Sequence, residues 1–257
     1  MWARWHDARS VRHWDEDVHA QLTDRLPGTW SLDPSAQQRW KLLTRRFLSD
    51  KQFVGADGLQ ITAEHGTTIA TLAAWPMLNL GWEALRGWRE VVLYPMTFAA
   101  ERHLAEPLCD GLKVVHEFEE SLSGEAAEGV IVLAWEDIQL DLAHLDAGTC
   151  VVIHEIAHQF DARSGAIDGR PPLTDGLSGA QWSQDFQAAF DRLKQTLETG
   201  GEPAIDPYAA EAPEEFFAVM VEHYCLRPDW LDRDCPEVLT LLRKLFGEIR
   251  DPAPSRS

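Results

Sequence analysis

Apolar positions in the first third of the chain recur at helical spacing. The pattern predicts helices between Trp14 and Leu48, with a break at Leu26-Pro27-Gly28 and a cap at Asp33 before the second helix. The apolar run from Thr67 to Leu80 predicts a buried helix that Pro76 interrupts. This part of the chain is therefore expected to be mainly helical.

The middle of the chain carries runs of β-branched and aromatic residues, which are typical of strands. Three strands are predicted, at Glu90 to Pro95, Val114 to Phe118 and Val130 to Trp135. Helical patterns then resume at Gly179 to Glu198, Pro213 to Leu226 and Glu237 to Ile249. A small sheet followed by helices predicts an α+β class.

The segment from Cys150 to Phe160 places two histidines and a glutamate in an otherwise apolar run. Residues four apart lie on the same face of an α-helix, so His154 and His158 can converge on one metal ion. Glu155 projects beside the pair, where it can act as a general base on a metal-bound water. Apolar residues nearly all round indicate a buried helix, in which these polar groups are costly unless something binds them. Asp146 is the predicted N-cap of this helix.

A catalytic zinc site needs three protein ligands and one open position. Ser164 stands where metzincins have their third histidine, so a glutamate from the predicted helix Pro213 to Leu226 is the remaining source. Spacing favours Glu215 over Glu214. Glu214 also has a structural explanation, as a first-turn acid that complements the helix dipole. Glu222 is either a buried acceptor for a ligand histidine or an exposed residue, depending on how the helix is rotated.

Composition narrows the partners and the domain organisation. The chain has 257 residues, of which 45% are apolar, and this suits one domain over residues 1–257. We expect a mainly helical part at about 1–80, the sheet and metal helix at about 88–160, and a helical part with the third ligand at about 179–250. The net charge of −19 disfavours direct binding of nucleic acid.

Cellular location is predicted from what the chain lacks. No apolar run approaches the roughly 18 residues of a membrane span. The amino-terminal segment has no apolar signal core, and the four cysteines are widely separated. A cytoplasmic location is therefore expected, with no membrane partner.

Three segments resemble the Mlc titration factor A family of zincin metallopeptidases: His154 to Asp161, Asp206 to Ala210, and Pro213 to Val219. The likeness covers nearly the whole chain. It implies a zincin-like fold, with a small mixed or antiparallel sheet and an active-site helix surrounded by additional N- and C-terminal helices. In that family the third zinc ligand is the glutamate seven residues after the tyrosine, and counting from Tyr208 gives Glu215. The family often has a single acid here, whereas Glu214 and Glu215 are adjacent.

The resemblance also implies roles for the site residues. One zinc ion per chain would be held by His154, His158 and Glu215. Glu155 would be the catalytic base, and Tyr208 would lie near the metal and assist the transition state. Asp161 matches an acidic position of the family motif, where it either supports the site from behind the ligands or makes a helix-end contact.

The implied function is zinc-dependent hydrolysis of a peptide substrate, with aminopeptidase-type activity. Family members can also sequester an Mlc-like transcriptional repressor of sugar-uptake genes. An alternative is therefore a regulatory protein that binds a repressor and has weak or vestigial peptidase activity. A purely structural zinc site is disfavoured, because such sites are usually closed and rich in cysteine.

Overall fold

The computed structural model describes residues 14–29, 32–96 and 129–248, and the first of these residues form two helices. These helices are α1 (Glu16–Arg25) and α2 (Pro34–Asp50). The side chains of Asp15 and Asp33 cap them by accepting hydrogen bonds from backbone amides of the first turn. The predicted break and the predicted cap at Asp33 are confirmed.

The third helix, α3 (Ala63–Ala74), is buried along nearly its whole length. It begins ahead of the predicted Thr67, because the Thr62 hydroxyl accepts from the amide of His65 and starts the helix earlier. It ends just before Pro76, as predicted. The buried helix is therefore confirmed, with an earlier start.

The sheet contains strands β1 (Gln52–Gly55), β2 (Glu90–Tyr94) and β3 (Val130–Ala134), in the order β1-β2-β3. Both pairings among the described strands are parallel, whereas the family resemblance implied a mixed or antiparallel sheet. The chain passes through α3 between β1 and β2, and such a crossover returns it to the same end of the sheet. β1 was not predicted, and the predicted strand Val114 to Phe118 lies outside the described residues. The α+β class is confirmed.

Side chains alternate between the two faces of the sheet. One face joins the main core through Phe53, Val91, Leu93, Ile131 and Leu133. The other face carries a small separate cluster of Val54, Val92 and Val132. Burial on both faces explains why β2 and β3 are nearly continuous apolar runs in the sequence.

The remaining helices follow β3. They are α4 (Trp135–Ala143), α5 (Val151–Asp161), α6 (Gly179–Glu198), α7 (Pro213–Leu226), α8 (Pro228–Asp234) and α9 (Pro236–Phe246). The short helices α4 and α8 were not predicted. α5 packs against α7 and also contacts α3, so the predicted metal helix lies in the core. In the described segments, none of the helices combines the length and apolar character that a membrane crossing requires.

Candidate metal centre

The metal helix α5 is buried at every position except Gln159. Its N-cap, Cys150, makes no side-chain cap, and carboxylates from other helices take over this task. Glu222 Oε2 accepts from the Cys150 amide at 2.5 Å, and Asp141 Oδ2 accepts from the Val151 amide at 2.7 Å. The predicted N-cap, Asp146, is wrong: it lies in a separate turn, Leu145–Ala147, before the helix begins.

The predicted ligand atoms converge between α5 and α7. His154 Nε2 lies 3.0 Å from His158 Nε2 and 3.1 Å from Glu215 Oε2, and His158 Nε2 lies 3.6 Å from Glu215 Oε1. A tetrahedral ion with metal–ligand bonds of about 2.0–2.1 Å requires ligand atoms about 3.3 Å apart. The three donors therefore fit a zinc-sized ion. Glu214 is half-buried and is not part of this group.

Glu222 fixes the orientation of the first histidine. Its side chain is 1% exposed, and Oε1 lies 2.8 Å from His154 Nδ1. A carboxylate on Nδ1 keeps the proton there and leaves Nε2 available to a metal. Because the other oxygen accepts from the Cys150 amide, one carboxylate holds both the start of α5 and its first histidine.

The site favours positive charge. Burial alone would lower the pKa of His154, but hydrogen bonds to the carboxylates of Glu215 and Glu222, together with their negative charges, outweigh burial and raise this pKa well above its ordinary value. Burial also raises the pKa of Glu222. Two carboxylates facing one imidazole in a dry interior are the electrostatic environment that a bound cation would satisfy.

Glu155 and Tyr208 lie beside the ligands. Glu155 is completely buried next to His154 on α5. Tyr208 lies in the turn Pro207–Ala210, with its ring centroid 6.0 Å from that of His154. Burial, together with the charge of Glu215 and a hydrogen bond to it, raises the pKa of Tyr208 well above its ordinary value. The hydroxyl therefore stays protonated at neutral pH and can donate a hydrogen bond.

Asp161, at the end of α5, holds the loop that follows it. Its Oδ2 accepts from the amides of Asp168 at 2.9 Å and Gly169 at 2.6 Å. Gly169 has a φ of +78°, and a Cβ there would lie 2.6 Å from the carbonyl oxygen of Pro213. Burial raises the pKa of Asp161 to about 6. The carboxylate thus ties α5 to a loop that abuts the first residue of α7.

Two polar residues around the site were not predicted. Asp141 lies on α4, where nothing in the local pattern indicates that it caps a helix ten residues later. His223 lies on α7, fully buried, with contacts to Gly148 and Asp206. Its signal was present in the sequence, because it is a histidine in an apolar run, the same feature that singled out His154.

The chain is similar to known proteins over nearly its whole length. The family model for the glucose-regulated metallo-peptidase M90 matches residues 2–247. The chain is 36% identical to Mlc titration factor A of Klebsiella pneumoniae (strain 342) over 208 residues, which cover 79% of this chain and 76% of that protein. It is 31% identical to Mlc titration factor A of Pectobacterium atrosepticum over 93% of this chain and 87% of that protein. An uncharacterized protein of Synechocystis is 32% identical over 95% of this chain and 89% of that protein.

Proposed function

The chain belongs to the glucose-regulated metallo-peptidase M90 family, and from this premise we propose that it is a zinc-dependent peptidase with aminopeptidase-type activity. The observation that carries the proposal is the convergence of three ligand atoms, from His154, His158 and Glu215, at separations that suit one tetrahedral ion. Two histidines and a glutamate form the donor set of catalytic zinc sites, which keep one position open. Bound zinc would lower the pKa of a coordinated water towards about 7 and polarise the scissile carbonyl.

Glu155 is the general base in this proposal. It removes a proton from the attacking water and passes it to the leaving amine. Its position supports the role, since it is buried beside the ligand pair and is not itself one of the three converging ligands.

Tyr208 stabilises the developing oxyanion by donating a hydrogen bond. Its raised pKa keeps the donor proton in place. Removing a comparable donor costs about 2.7–4 kcal/mol of transition-state stabilisation in other enzymes. Glu222 supports the same chemistry less directly, because it holds the His154 ring in one orientation.

The test begins with zinc content and turnover of a panel of chromogenic amino-acid and peptide substrates. We expect one zinc ion per chain and measurable hydrolysis. Glu155→Gln should lower kcat by about 10²–10⁴-fold, the usual contribution of a general base, with zinc content unchanged. Full activity in Glu155→Gln would contradict the mechanism.

The ligand assignment has a matched control in the adjacent acid. Glu215→Gln should reduce zinc content and activity together, because an amide oxygen replaces an anionic ligand. Glu214→Gln makes the same change one residue earlier and should leave both unchanged. Equal loss of zinc in the two variants would show that the third ligand is misassigned.

A second candidate function is suggested by the names of the relatives. Several are called Mlc titration factor A, which indicates that those proteins act on the repressor Mlc. On this reading the chain binds an Mlc-like transcriptional repressor in the cytoplasm, with or without peptidase activity. A pull-down of such a repressor by wild type and by His154→Ala separates the candidates. Metal-independent capture without peptide turnover would favour the binding role.

A further inference from the structure

We infer that His223 is a positioning residue that joins the three segments around the candidate metal centre and sets the place of Tyr208. The inference rests on the proposed function, because that function gives Tyr208 its role. His223 itself touches none of the three ligand atoms. It acts through the backbone of two other segments.

The two ring nitrogens of His223 have different partners. Nδ1 lies 3.1 Å from the carbonyl oxygen of Gly148, which can only accept, so Nδ1 carries the proton. Nε2 lies 3.4 Å from the amide nitrogen of Asp206, which donates to it. Burial lowers the pKa of His223 to about 4, with Asp206, Arg227 and Asp229 nearby, so the ring is neutral at pH 7. The contacts therefore define a single tautomer.

Each contact holds a different part of the site. Gly148 lies two residues before Cys150, where the metal helix α5 begins. Asp206 opens the turn that carries Tyr208, and its Oδ1 accepts from the Tyr208 amide at 2.9 Å. His223 itself lies on α7, which also carries Glu215. One imidazole thus connects α7, the entry to α5 and the Tyr208 turn.

Close packing keeps the His223 ring in place. Gly148 has a φ of +79°, and a Cβ there would lie 3.0 Å from both His223 Nδ1 and the Trp230 ring. The Trp230 ring meets the His223 ring edge-on, with centroids 5.2 Å apart. The Arg227 guanidinium carbon lies over the Trp230 ring, 4.1 Å from its centroid. The ring therefore has little freedom to exchange its two hydrogen-bond partners.

Two substitutions remove one contact each. The amide nitrogen of asparagine reaches about as far as Nδ1, so His223→Asn keeps the donor to Gly148 and loses the acceptor for Asp206. The side-chain oxygen of glutamine reaches as far as Nε2, so His223→Gln keeps the acceptor for Asp206. Hydrogen exchange at the Asp206 amide should be about tenfold faster in His223→Asn than in wild type, and close to wild type in His223→Gln. Equal exchange in the two variants would overturn the inference.

Kinetics test whether His223 acts through Tyr208. His223→Asn should lower kcat by up to about 10²-fold, the cost of misplacing a catalytic group, with zinc content and KM unchanged. In a Tyr208→Phe background the same substitution should have no further effect on kcat. Independent, multiplicative losses in the double variant, or loss of zinc from His223→Asn, would overturn the inference.

The ring tautomer is read from the wild-type protein, and a variant is needed only to assign the signal. Nitrogen-15 NMR of labelled histidine, with the His223 signal identified by its absence in His223→Gln, should show a protonated Nδ1 and an unprotonated Nε2. The opposite tautomer would overturn the inference. If the tautomer and exchange results hold but wild type hydrolyses no peptide, the proposed function fails while the positioning role of His223 stands.

Discussion

Two regions of the molecule bury histidines, and they pair them differently. In the candidate metal centre, His154 lies between the carboxylates of Glu215 and Glu222, which raise its pKa despite burial. In the amino-terminal helices, His19 lies 3.1 Å from the hydroxyl of Thr71, and burial lowers its pKa to about 4. Burial alone therefore does not identify a candidate metal ligand. The negative charge of its partners distinguishes His154 from a buried histidine such as His19.

A buried lysine, like His19, has mainly neutral hydrogen-bond partners. Lys51 is almost completely buried, and its Nζ donates to the carbonyl oxygens of Leu85 and Trp88, each at 2.7 Å. It also lies 4.0 Å from the centroid of the Trp88 ring. Apart from Asp50, at 3.4 Å, these partners are neutral, so the lysine serves to hold the segment before β2 in place.

The largest effect is expected from a change confined to the amino-terminal region. Trp40 is completely buried, donates its indole N–H to the carbonyl oxygen of Thr71 at 3.0 Å and contacts the ring of Trp75. Trp40→Ala should lower the free energy of unfolding by about 3–5 kcal/mol, as large aromatic truncations do. Urea denaturation measures this loss. The zinc affinity of the folded fraction should not change, and a parallel fall in zinc affinity would remove the distinction between the regions.

A smaller effect, on zinc affinity rather than on the free energy of unfolding, is expected at Glu222. The Cys150 amide and His154 Nδ1 contact different oxygens of Glu222, and a glutamine there replaces one of these acceptors by an NH₂ donor. Loss of such an orienting partner typically reduces metal affinity about 10–100-fold. Zinc competition with a chromophoric chelator measures Glu222→Gln against the control Glu214→Gln. Equal affinities would show that Glu222 serves only the helix start.

At neutral pH the smallest effect is expected from the titration of Lys51, because it begins only near pH 8. Burial, opposed by Asp50, lowers the pKa of Lys51 from 10.5 to about 8. Between these values the unfolded chain holds a proton that the folded chain has released, so the free energy of unfolding rises with pH across this window. Lys51→Met removes this contribution. The difference in free energy of unfolding, wild type minus Lys51→Met, should rise between pH 8 and 10.5 in urea denaturation, and parallel curves would contradict the prediction.

The sequence could predict those parts of the site that local spacing determines. His154 and His158 are four apart on one helix, and α7 was predicted with the same bounds that the structure has. Helical periodicity fixes which side chains share a face, so these features needed no knowledge of tertiary contacts. Spacing only favoured Glu215 over Glu214, and the count from Tyr208 that selects Glu215 came from the family resemblance.

The features that the sequence could not predict depend on contacts between distant segments. Asp146 was a reasonable local cap, but the start of α5 is held by Glu222 and Asp141, which come from other helices. The parallel sheet depends on the path of the chain between strands, and β1 has only four residues. His223 links segments 75 and 17 residues away. Such partners are set by packing, which a linear pattern does not record.

The three converging ligand atoms all come from two helices, and none comes from the chain that joins them. Side chains on packed helices hold their geometry better than side chains on loops. In the connecting segment, positions 163–168 are exposed. Surface loops of this kind tolerate insertions and exchanges. Positions 163–167 can therefore change in sequence and length while the two helices that carry the ligands stay the same, provided that the contact between the Asp168 amide and Asp161 is kept.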